Sequence, residues 1–227
     1  MKRYAAGLLA LMMVLSFAAA ALAEGTTPDE TAAETSVAEE MAVNDYTVGN
    51  TVIFGAYEQD NDTENGEEPI EWIVLAVDGD RALLLSKYGL DAQKYNTYTK
   101  KITWCRCSLR FWLNYNFIKE AFVVEERELI LSTTITNEKV SGYSESYGCD
   151  DTTDQIFLLS YDEALEYLPE DADRVTEPTA YAVAQGAYED EDNGNCWWWL
   201  RSAGSDNTNA CGVRTDGRIS GYGGREV

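Results

Sequence analysis

Histidine is absent from this 227-residue chain. Its absence excludes Ser-His-Asp and Cys-His catalysis and imidazole-ligated zinc. Positive charge is scarce: 17 basic side chains face 40 acidic ones, a net charge of −23. Nucleic acid and anionic membranes would repel such a chain, so neither is an expected partner. Beyond the N-terminal 23 residues no apolar run approaches membrane-spanning length. Cysteine numbers five, an odd count that leaves at least one thiol unpaired. Aromatics are not scarce: six Trp and fourteen Tyr within a 45% apolar fraction suffice for a core and exclude wholesale disorder.

The N-terminus has the form of a secretory leader. Lys2-Arg3 is a basic start, Leu8 to Leu15 an apolar core, and Ala21-Leu22-Ala23 a small-x-small cleavage signal. Residues 1–23 are therefore expected to be a signal peptide and the protein to be secreted or on the cell surface. Removal of Lys2 and Arg3 takes the net charge to about −25. Residues 24–45, rich in Thr, Ala and Glu, cannot offset their ordering entropy and are expected to be a disordered acidic linker. Residues 46–227 remain as a single domain.

Within that domain, Thr51 to Phe54, Ile70 to Val77 and Ala82 to Ser86 predict strands, the last two joined at Asp78-Gly79-Asp80. Leu109, Trp112, Leu113, Phe117 and Ala121 follow the spacing of one buried helical stripe, with Ser108 as its cap. Gln155 to Leu159 predicts a strand, and Ser160-x-x-Glu163 is a capping box before a short helix that Pro169 ends. A further helix is expected over Thr179–Gln185, bracketed by Pro178 and Gly186. Cys196 to Leu200 predicts a buried strand, and Gly212 to Ser220 a hairpin around Asp216-Gly217. Strands, then helices, then strands argue an α+β fold.

Three constellations bear on chemistry. The loop from Glu58 to Glu68 crowds carboxylates, and Asp60, Asp62 and Glu64 fall at positions one, three and five of a calcium-type loop. Glycine comes one place late and strand follows instead of helix, so a solvated hairpin loop is the stronger reading; no other cofactor is implied. Trp197-Trp198-Trp199 places alternate rings on opposite strand faces, one of them core. The other face, with Arg201, Ser202, Asp206, Asn207, Asn209, Arg214 and Tyr222, forms the candidate ligand-binding surface. Full burial of all three rings is the plainer alternative. Cys196 and Cys211 flank that surface and are a candidate disulfide. No residue is singled out as catalytic.

The motifs Val48-Gly49-x-x-Val52-x-Phe54-Gly55-x-Tyr57, Trp104-x-x-Cys107-Ser108-Leu109-Arg110-x-Trp112-Leu113-Asn114 and Asn195-Cys196-Trp197-Trp198-Trp199-Leu200-Arg201-Ser202 carry a resemblance. Together they resemble a family of exported bacterial domains of unknown function, distantly similar to the C-type lectin-like fold of formylglycine-generating enzymes. The resemblance implies a mixed α+β domain with long loops on one side. Members of that family continue into a further closing strand, so the last strand is expected to be truncated here. The expected function is recognition of an extracellular carbohydrate or protein ligand. A surface-display domain, or a secreted enzyme using carboxylates or Cys196, are the alternatives.

Overall fold

Alternating burial builds the first sheet. In β3 (Thr51–Tyr57) Val52 and Phe54 point inward while Thr51 and Ile53 meet solvent. β4 (Glu68–Asp78) pairs with β3, and β5 (Arg81–Ser86) returns beside β4 through Gly79-Asp80. A computed structural model describes residues 7–8, 11–16, 44–98, 101–144, 146–205 and 208–223 and is mixed α+β, the expected class. The remaining strands are β1 (Gly7–Leu8), β2 (Met12–Ser16), β6 (Ala92–Gln93), β7 (Thr133–Asn137), β8 (Cys149–Asp154), β9 (Ile156–Phe157), β10 (Trp198–Ala203), β11 (Ala210–Val213) and β12 (Ile219–Gly223). One sheet runs β3-β4-β5-β2-β9, a second β12-β11-β10-β1-β6, and β7 pairs with β8 alone.

β2 comes from the segment expected to be a leader. Met12 lies opposite Leu85 of β5 and Phe157 of β9, and the register continues to Ser16 opposite Arg81. Leu11, Met12, Met13 and Leu15 are fully buried. The expected leader core and the fold thus draw on the same residues. An uninterrupted apolar run of this length suits a leader core and a strand covered on both faces equally well. The Ala21–Ala23 signal lies outside the described residues, as does most of the 24–45 linker. Its last two residues are ordered: Asn44 exchanges two hydrogen bonds with the backbone of Ile53, and Asp45 accepts from Thr47 and Asn50.

The helices follow their caps. In α1 (Ser108–Trp112) the cap is Cys107, whose sulfur accepts from the Arg110 N–H; Ser108, the expected cap, instead accepts from the Thr97 N–H. A π-turn over Leu113–Phe117 and α2 (Ile118–Glu120) continue the run and bury Leu109, Leu113 and Phe117. α3 (Val124–Leu129) follows and has no clear sequence signal, its Val123 N–H being held by Glu126. α4 (Tyr161–Tyr167) has the expected Ser160–Glu163 box, and α5 (Ala180–Gln185) is capped by Thr179 and ended by left-handed Gly186. Gly55 carries φ 72° where β3 bends; a Cβ there would lie 2.5 Å from the Phe122 ring.

Substitution of Met13 by Ala in the full chain should lower stability by about 2–5 kcal/mol, the usual cost of emptying a core site. Chemical denaturation measures it. An unchanged midpoint would mean that β2 is not part of the folded protein.

Candidate recognition site

Two of the three tryptophans are core. Trp198 and Trp199 are fully buried and Trp197 half-buried, with the rings of Trp197 and Trp199 edge-on at 5.0 Å. Each buried indole satisfies its N–H on a carbonyl: Trp198 donates to Arg174 at 3.0 Å and Trp199 to Gln93 at 3.1 Å. Both faces of β10 are covered, so Trp198 and Trp199 offer no ring for stacking.

Arg201, expected at the surface, is 3% exposed. Its guanidinium forks onto both Glu163 carboxylate oxygens and also donates to the carbonyls of Leu158 and Thr136. Ser202 accepts from the Tyr161 N–H at 2.9 Å, and Asn209 is buried. Arg214 is exposed, 4.0 Å from Asp216. Tyr222 lies in β12, while Asp206 and Asn207 fall outside the described residues. Among the described residues of the expected surface, Trp198, Trp199, Arg201, Ser202 and Asn209 are buried and do not form an open face. The cavity beside Arg201, lined by Asn137, Cys149, Ser160 and Ser202, holds about 20 Å³, room for one water. The physical reason is that a strand paired on both sides and covered on both faces has no free side to display.

The cysteine expectation is corrected as well. Cys196 and Cys211 are free, buried thiols. Trp199 lies opposite Gly212, so the two cysteines sit several residues apart along the ladder. Cys196 donates to the Thr176 carbonyl and Cys211 to that of Ala203. Burial pushes Cys211 up to about 12 and Cys196 higher still, which keeps both protonated and unreactive. Arg201 faces Glu163, so it does not activate Cys196.

Of the calcium candidates, Asp60 alone joins a cluster, with Glu58 and Glu68; their carboxylate oxygens lie within 4.8 Å of one another. Asp62 and Glu64 are not in it. The cluster oxygens already serve the loop backbone: Glu68 accepts from the N–H of Gln59, Glu58 from that of Asp62, and Asp60 from Asp62 and Asn65. Burial first, then the neighbouring charges of Glu68 and Asp60, raise the Glu58 carboxyl above its ordinary range.

Among the described residues, two exposed aromatic rings stand close together on the helical run. Phe111 is 58% and Tyr115 67% exposed, with the Lys119 ammonium 3.8 Å from the Tyr115 ring centroid. The polar residues of the same run explain why it stands there. Arg110 Nε donates to Asp154 at 2.6 Å, as does the Trp104 indole at 3.0 Å. Asn114 donates to the Ile156 carbonyl and accepts from the N–H groups of Gln155 and Ile156, acting as a strand partner for β9. Inward residues are thus latched to β8 and β9, and Phe111 and Tyr115 are turned out. Beyond Lys119, exposed Val123 and Val124 border two open concavities of about 560 and 340 Å³ that share Lys119, Val124 and Arg127. This face carried no motif that separated it from an ordinary solvated helix; the unmatched large apolar residues between stripe positions were the only available signal.

Two outcomes follow. Arg201→Ala leaves Glu163 and two carbonyls without their donor and should cost about 3–5 kcal/mol of folding stability, read by denaturation. Glu58→Gln keeps the acceptor for Asp62 and removes one charge. Because the folded-state Glu58 carboxyl titrates above its unfolded value, the wild type loses stability as pH rises through that range, and the variant should lose that slope. Parallel pH–stability curves would contradict it.

No curated protein and no solved structure matches the chain. The model of the family described as Domain of unknown function (DUF6273) matches residues 79–226, well over half of the sequence, from the β4–β5 turn through the end of β12. The match includes the helical run, its latch on β8 and β9, and the tryptophan strand, and the chain belongs to the DUF6273 family.

Proposed function

We propose that this chain is a non-catalytic recognition module, secreted or held at the cell surface, whose ligand docks on the face of Phe111 and Tyr115. The observation that carries this reading is the pair of outward aromatic rings, four residues apart, beside the open concavities at Lys119 and Val124. Aromatics at this exposure supply large contact area at low side-chain entropy cost. Val123 and Val124 widen the patch with apolar area, which favours a protein ligand over a carbohydrate. The charge of −23 favours a ligand that is not acidic.

Export is proposed from the basic, apolar and small-residue order of residues 1–23. Since Leu11 to Leu15 also fill the core, the exported form with this fold is one that keeps those residues. Among the described residues no helix is long and apolar enough to cross a membrane. The likeness to the C-type lectin-like fold is supported by the motifs and the mixed α+β layout, and it belongs to the same proposal. The calcium expected from Asp60, Asp62 and Glu64 is no part of this docking face.

Screening the full chain against protein and glycan arrays, followed by titration of any hit, tests the reading. The double variant Phe111→Ala, Tyr115→Ala should weaken binding at least about tenfold with the melting temperature little changed. A hit that the wild type and the double variant bind equally well, or no hit on either array, would count against it, the latter in favour of a display role.

A further inference from the structure

Three of the five cysteines, Cys107, Cys196 and Cys211, are buried and hydrogen-bonded to backbone. The other two are half-buried and adjacent. Cys105 lies in the turn Trp104–Arg106, which opens the helical run, and Cys149 is the first residue of β8, 44 positions away. The Cys105 N–H points to the Cys149 sulfur at 3.4 Å. The Cys105 sulfur is 3.3 Å from the Thr103 hydroxyl. Two thiols are thus brought together at the surface by elements distant in sequence, while every other thiol is shielded.

We infer that Cys105 and Cys149 are a disulfide-forming pair, oxidised by exchange with a disulfide oxidant and closing a covalent staple between the start of the helical run and β8. In the first step one cysteine loses its proton, and its sulfur displaces a thiolate from the oxidant. In the second step the other cysteine, deprotonated in turn, attacks the mixed disulfide and expels the second thiolate. One S–S bond forms in the protein and one breaks in the oxidant. Two electrons and two protons pass from the cysteine pair to two released thiols. The Trp104–Asp154 and Arg110–Asp154 contacts hold the same two elements together from the other end of β8, so the pair is presented on elements already docked on each other. The inference is independent of the ligand-docking reading.

The full chain, incubated with oxidised glutathione and then denatured and alkylated, tests the pair. Five alkylated thiols in the reduced protein should become three, and peptide mapping should recover one cross-linked species joining Cys105 to Cys149. In the Cys149→Ser variant, Cys105 should instead retain one glutathione. The oxidised wild type should melt about 10 °C higher than the reduced protein, as expected for closing a loop of this length, and Cys105→Ser should abolish that difference. Five free thiols after oxidation, a bridge mapped to any other pair, or glutathione on both residues without a bridge would overturn it.

Discussion

A buried guanidinium is the constraint on which this fold turns. Arg201 projects from the middle of β10 into the interior, where an unpaired charge would be prohibitive. Glu163 at the start of α4, the Leu158 carbonyl just after β9 and the Thr136 carbonyl of β7 must all reach it. One side chain therefore sets the position of three elements around the tryptophan strand. Arg174 repeats the device on a smaller scale. It is buried, donates to the Gly217 carbonyl at 2.8 Å, and its own carbonyl receives the Trp198 indole. Gly217 has φ 81°, and a Cβ there would collide with the Asp171 carbonyl. The polar network pins the start and the middle of the tryptophan strand, at Trp198 and Arg201, and the apolar core packs around them.

This arrangement explains why the most conspicuous motif has no display role. A run of three tryptophans followed by arginine and serine has the composition of a binding surface, and alternation along a strand left one face open to that use. What decides the matter is the covering of β10 by segments far away in sequence: Gln93 and Arg174 supply the indole acceptors, and Tyr161 donates to Ser202. Local pattern carries no information about such partners. The same limit applies to Cys196 and Cys211, whose separation is set by ladder register, and to Cys105 and Cys149, which only the tertiary fold brings together.

Much of the scaffold was nevertheless legible. The β4–β5 hairpin, the buried stripe of the helical run, the Ser160–Glu163 box and the Thr179–Gly186 brackets are all local rules, and they hold here. β7 and β8 escaped notice because Thr133–Asn137 and Cys149–Asp154 are polar strands whose pairing depends on Asn137, Thr152 and Asp154 side chains rather than on an apolar face. β2 escaped for the opposite reason: its apolar run fits two destinations. The motif around Trp104, Arg110 and Asn114 is a latch onto Asp154, Gln155 and Ile156, which accounts for its residue types in structural terms and leaves Phe111 and Tyr115 turned outward.

Amide hydrogen exchange on the full chain tests the central claim most directly, because it reports the opening free energy of each segment. If the tryptophan strand braced by Arg201 is the hub of the core, the amides of residues 198–203 exchange among the slowest in the protein, through global unfolding, and slow in step with added stability. Exchange there as fast as in the exposed loop at residues 189–193 would show a strand that opens on its own, and would return the tryptophan run to the surface.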